Sequence, residues 1–70
     1  MQPAFKVGDA VCEKSEFARV HQDKGIVTSY YAYKGEYRYL VMFENGRERL
    51  MFERELIADS DRSPAEEHRD

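Results

Sequence analysis

Short runs in which apolar and polar residues alternate, separated by dispersed glycines, set the pattern of this chain. Phe5 and Val7 lead through Gly8-Asp9 to Ala10 and Val11, which predicts a turn feeding a first strand. Residues Glu13 to Lys24 have no clean period of either kind and are expected to form a long loop. After Gly25 come Ile26, Val27, Thr28, Ser29, Tyr30, Tyr31, Ala32 and Tyr33, the β-branched and aromatic residues that suit a half-buried pleated surface. They predict a second strand, and Lys34, Gly35 and Glu36 turn it into a third, Tyr37 to Glu44.

Asn45-Gly46 is the strongest local signal, because a two-residue type I′ turn needs positive φ at both central positions and Asn-Gly tolerates this best. It predicts a fourth strand, Arg47 to Phe52, folded directly onto the third. With two residues in the loop, Phe43 opposes Glu48, Val41 opposes Leu50 and Tyr39 opposes Phe52. That face is the more apolar and is expected to point inward, with Glu48 at its rim. The other face would carry Leu40 opposite Met51, Met42 opposite Arg49, and Arg38 opposite Glu53. Glu53, Arg54 and Glu55 read as one 3₁₀ turn before a brief closing strand at Leu56 and Ile57. From Ala58 onward charge, Ser and Pro dominate, so the expectation is an all-β, five-stranded barrel over residues 1–58 and a disordered acidic tail over 59–70.

A chain of 70 residues buries only about 60% of the surface its unfolded form exposes, so the core must be thin and self-association is an open option. The balance of 11 basic against 14 acidic residues gives a formal charge of −3, which disfavours duplex nucleic acid as a partner. Five acids and two arginines belong to the last stretch, DSDRSPAEEHRD, leaving nine of each sign before it. The single cysteine, Cys12, cannot form an internal disulfide, and MQPAFKVGDA lacks the apolar run of a signal peptide, so a reducing cytoplasm is expected. No apolar run approaches the ~20 residues of a membrane-spanning helix.

The order Phe5-x-x-Gly8-Asp9-x-Val11, long loop, Gly25-Ile26-Val27, strand, Tyr39-x-Val41-x-Phe43, Asn45-Gly46, strand, Glu55-Leu56-Ile57 resembles the SH3-like barrels of KOW, Tudor and CarD type. The likeness runs from Phe5 to Ile57. It implies a small barrel whose relatives contact ribosomes, RNA polymerase, nucleic acid or other proteins, and the fold alone selects none of these. The opening Phe5-x-x-Gly8-Asp9-x-Val11-x-x-Lys14-Ser15 is also similar to that of the type II dihydrofolate reductases. Their pore is lined by a Val-Gln-Ile-Tyr stretch after a late glycine, whereas here Gly46 is followed by Arg47, Glu48, Arg49, Leu50 and Met51, so that activity is not expected.

Catalytic constellations are absent from the pattern. His21 and His68 lie in a polar loop and in the tail, no zinc-ligand spacing occurs, and Cys12 beside Val11 reads as a small hydrophobe in a strand. The acids are interspersed with lysines and arginines, as on an ordinary solvated surface. No metal, no cofactor and no enzymatic activity are expected. Two surfaces remain. The outward set Leu40, Met42 and Met51, bordered by Arg38 and Arg49, has the apolar centre and arginine margin of a protein interface. The leading expectation is therefore a non-enzymatic adaptor or regulator, monomeric or homodimeric, that binds a protein of a larger bacterial or phage assembly. The alternative is a nucleic-acid-binding module that stacks bases on Tyr30, Tyr33 and Tyr37 beside Lys34 and Arg38.

Overall fold

The computed structural model describes residues 2–14, 16 and 23–61. The strands form where the alternation places them: β1 is Ala10–Glu13, β2 Lys24–Tyr33, β3 Glu36–Phe43, β4 Glu48–Phe52 and β5 Leu56–Ala58. A 3₁₀ turn, η1, spans Glu53–Glu55, and a second, η2, spans Asp59–Asp61. All pairings are antiparallel within one five-stranded sheet of order β4-β3-β2-β1-β5, so the fold is all-β and its two edges are β4 and β5. Chain order continues past the boundary expected at Ala58, since η2 packs on β1. The rest of the expected tail, and most of the expected loop between Glu13 and Lys24, lie outside the described residues.

Val11, Val27, Tyr39, Val41, Phe43, Met51 and Leu56 make the core, with Phe5 and Tyr37 packed against it. Gly25 lies in this layer for want of room. A Cβ there would sit 2.5 Å from a Val41 methyl and 2.9 Å from the Phe43 ring, closer than real contacts allow. Cys12 is fully buried, as expected of a small hydrophobe in β1. Tyr39 closes the end of the core. Its hydroxyl donates to Glu53 Oε1 at 2.6 Å and accepts from the Ala4 N–H at 3.0 Å, while its ring meets Phe5 edge-on at 5.4 Å. The amino-terminal segment, β3 and η1 are thereby tied at one point.

The Asn-Gly turn corrects the expected register. Phe43 N–H donates to Arg47 C=O and Gly46 N–H to Phe43 C=O, both at 2.9 Å, so the loop is Glu44-Asn45-Gly46 and has three residues. Only Gly46 takes positive φ, at 88°, which is the pattern of a type I turn followed by a left-handed glycine. The Asn45 side chain stays inside the turn and accepts from the Arg47 N–H at 2.8 Å. One extra residue slides β4 by one place and turns each of its side chains to the opposite face. Tyr39 is thus opposite Met51, Leu40 opposite Leu50 and Arg38 opposite Phe52. Met51, expected outward, is 1% exposed, and Leu50, expected inward, is 50% exposed.

The condition for a type I′ turn is met at the other end of β3. Tyr33 pairs with Glu36 across Lys34-Gly35, and both loop residues have positive φ, 51° and 83°. A second irregularity sets the faces of β2. Val27 pairs with Val41 but Ser29 with Leu40, leaving Thr28 as a bulge whose hydroxyl donates to the Leu40 carbonyl at 3.1 Å. Before the bulge Val27 points inward and Ile26 outward. After it Tyr30 points inward and Tyr31 and Tyr33 outward.

Candidate protein-binding face

Three rows of side chains cross the outer face of β2, β3 and β4, as the pairings dictate. The first is Ile26, Met42, Glu48; the second Ser29, Leu40, Leu50; the third Tyr31, Arg38, Phe52, with Tyr33 beyond it on the hairpin. Ile26, Met42, Leu50, Tyr31 and Tyr33 are exposed, while Leu40, Arg38 and Phe52 are half-buried among them. The surface is aliphatic at one end and aromatic at the other.

Arg38 organises the aromatic end. Its guanidinium carbon lies 4.5 Å from the Tyr33 ring centre and 4.9 Å from that of Phe52, so the planar cation is stacked against both rings. Arg54 adds a second guanidinium 4.5 Å from Phe52 and pairs with Glu36 at 3.1 Å. The Arg38 Nε is buried without a hydrogen-bond partner among the described residues, and the contacts with the two rings help hold the side chain in place. A stacked arginine between aromatic rings can receive a carboxylate or carbonyl while the rings shed water.

The expected interface residues are divided by the register. Leu40, Met42 and Arg38 lie on the outer face as expected. Met51 is instead core, and Arg49 is instead opposite Val41, where it pairs with Glu13 at 3.5 Å and lies 5.8 Å from the Phe43 ring. Leu50, Ile26 and Phe52 take their place on the outer face and were not anticipated. A three-residue reading of Glu44-Asn45-Gly46 would have found Leu50 and Phe52 at once. The alternative set is divided too. Tyr30 and Tyr37 are on the inner side, at 6.0 Å from one another, Tyr33 and Arg38 are on the outer side, and Lys34 lies at the turn with its ammonium 5.4 Å from Tyr33. Those five do not form one stacking platform.

Elsewhere, a cleft of about 410 Å³ lies between Lys14, Glu36, Tyr37, Glu53 and Arg54, where both signs of charge meet and three of the groups are already committed, Glu53 to Tyr39 and Arg54 and Glu36 to each other. Among the described residues no group of histidines, cysteines and acids could hold a metal ion, and no helix is long and apolar enough to cross a membrane. Fold and surface define a small all-β domain with one exposed apolar sheet face. Comparison with protein-family models, curated proteins and solved structures finds no match to this chain.

Proposed function

We propose that this chain is a non-catalytic protein-binding module and that the outer face of β2, β3 and β4 is its docking surface. One observation carries the reading. Of seven large hydrophobic residues exposed among the described residues, five (Ile26, Tyr31, Tyr33, Met42 and Leu50) share that face. Scattered exposed hydrophobes are ordinary on any domain, but a contiguous set rimmed by charge marks an interaction site. Its composition, aliphatic with methionine at one end and aromatic with a stacked arginine at the other, is that of interface cores.

The double variant Ile26→Glu/Met42→Glu tests this. Both side chains face solvent, so circular dichroism should report an unchanged fold, while carboxylates at the aliphatic end of the face should abolish capture of the partner that wild-type protein retains from native extract. Capture of the same partner by the folded variant would sink the proposal. Capture that collapses steeply as salt rises would favour a phosphate-dominated contact over an apolar one.

A further inference from the structure

The edge of the same sheet carries a separate message. β4 has no strand beyond it among the described residues. Because Phe43 N–H bonds to Arg47 C=O, the antiparallel alternation directs the backbone groups of Arg47, Arg49 and Met51 toward β3 and those of Glu48, Leu50 and Phe52 away from it. Phe52 agrees with this assignment, since its N–H is met by Glu55 Oε1 at 2.9 Å, which closes the edge at that end. Leu50 is left at the middle of the open edge, its side chain exposed on the outer face and its N–H and C=O directed outward. The other edges are shorter or partly covered, and the far side of β2 stays open only beyond Val27, where residues 30–33 pair with β3 alone. β5 is three residues long, and the stretch of β2 next to β1 is occupied by the amino-terminal turn, where Gly8 N–H donates to Val27 C=O at 2.8 Å.

We propose that β4 pairs antiparallel with β4 of a second copy about a two-fold axis through Leu50, forming a weak homodimer with one sheet continuous through both protomers. The strand is self-complementary in this register and in no other. Centring on Leu50 sets Glu48–Phe52 against itself, with the Leu50 pair carrying the bonds between copies while the Phe52 N–H stays with Glu55. Centring on Arg49 would set two arginines on the axis, and centring on Glu48 two glutamates. Centring on Met51 would leave part of β4 unpaired. In the Leu50 register the two Leu50 side chains meet, and each Leu50 N–H donates to the Leu50 carbonyl of the other copy. Glu48 then falls opposite Phe52 of the second copy, beside a ring flanked by the Arg38 and Arg54 guanidiniums. An anion thereby comes beside two guanidiniums stacked on one ring. The two outer faces become one platform, twice the width of either.

Sedimentation velocity and amide exchange on the full chain, over rising concentration, test this pairing. The wild type should sediment faster as concentration increases. The Leu50 amide should exchange more slowly in step, whereas Arg49 and Met51, already bonded to β3, should not change. Leu50→Lys sets like charges on the axis and should remove both effects. Leu50→Pro should do the same by deleting the outward N–H, a substitution that edge strands tolerate. A wild type that stays monomeric throughout, or a dimer that survives Leu50→Lys, overturns the inference. So does a dimer lost in Ile26→Glu/Met42→Glu and kept in Leu50→Lys, which would be packed face to face. The docking reading fails separately, by partner capture that persists in Ile26→Glu/Met42→Glu.

Discussion

The two turns that bound β3 differ in a way opposite to their sequence signals. Lys34-Gly35 is a weak turn signal, yet both residues adopt positive φ and close a two-residue loop. Asn45-Gly46 is the strong signal, yet Asn45 keeps negative φ and the loop takes in Glu44. Asn-Gly is equally suited to end a type I turn with a left-handed glycine, and the Asn45 side chain stabilises that form by accepting the Arg47 N–H. What selects between the two is the strand beyond. A two-residue loop would bury Leu50 and Phe52 and expose Met51, whereas three residues bring Met51 against Tyr39 in the core. A turn motif fixes the place of a hairpin, while packing fixes its parity.

The parity of β4 is tested most directly by truncating the neighbours Met51 and Leu50 in turn. Met51→Ala should cost ~2–5 kcal/mol, the ordinary range for emptying a buried methionine site. Leu50→Ala should stay within ~0.5 kcal/mol in dilute solution, as for most exposed positions. Urea midpoints at constant m-value read both. The reverse order would restore the two-residue loop and dissolve the outer face built on the observed register.

The same contrast explains which parts of the fold and site were legible in the sequence. Arg38, Leu40 and Met42 were assigned to the outer face correctly because they lie on one unbroken strand, where alternation from Tyr39, Val41 and Phe43 decides the side. The strands themselves, and η1 at Glu53–Glu55, were also legible, since β-branched and aromatic runs and turn residues are local signals. Met51 and Arg49 were misplaced because the face of β4 depends on a loop length that Asn-Gly leaves open. The sides of Tyr31 and Tyr33 depend on the bulge at Thr28, a residue that carries no local mark of irregularity. Parity is inherited across every turn and bulge, so one unread residue reassigns everything after it.

Tyr39 offers a second test of the inward face, of intermediate size. Burial, and after it the hydrogen bond to Glu53, pushes its phenol from 10.0 up to about 12. The folded state thus holds the proton more tightly than the unfolded chain does. That part of the stability is complete below pH 10 and is lost as pH rises through about 12. Tyr39→Phe should flatten this alkaline loss. At neutral pH it should destabilise by ~1.5–3 kcal/mol, the scale of a hydrogen bond to a charged group, because the Glu53 carboxylate loses its donor. A variant as sensitive to alkali as the wild type would show that another group governs the transition.

The smallest effects lie in the two turns that bound β3. Gly46→Val should destabilise by more than ~1 kcal/mol. Nothing lies within 4 Å of a Cβ at that site, so the cost is backbone strain at φ 88° and not a clash. Lys34→Asn should act in the other direction. Lys34 is the one non-glycine residue at positive φ among the described residues, and a left-handed conformation costs an ordinary side chain ~1 kcal/mol that asparagine largely avoids. Against this stands the lost contact of the Lys34 ammonium with Tyr33, 5.4 Å from the ring centre and worth ~0.5 kcal/mol at an exposed site. The balance is a gain of a few tenths of a kcal/mol, seen as a small rise in urea midpoint at unchanged m-value. A fall in the midpoint would mean that the stacking outweighs the strain, and that Lys34 is held at positive φ by its contact with Tyr33 as well as by the geometry of the two-residue loop.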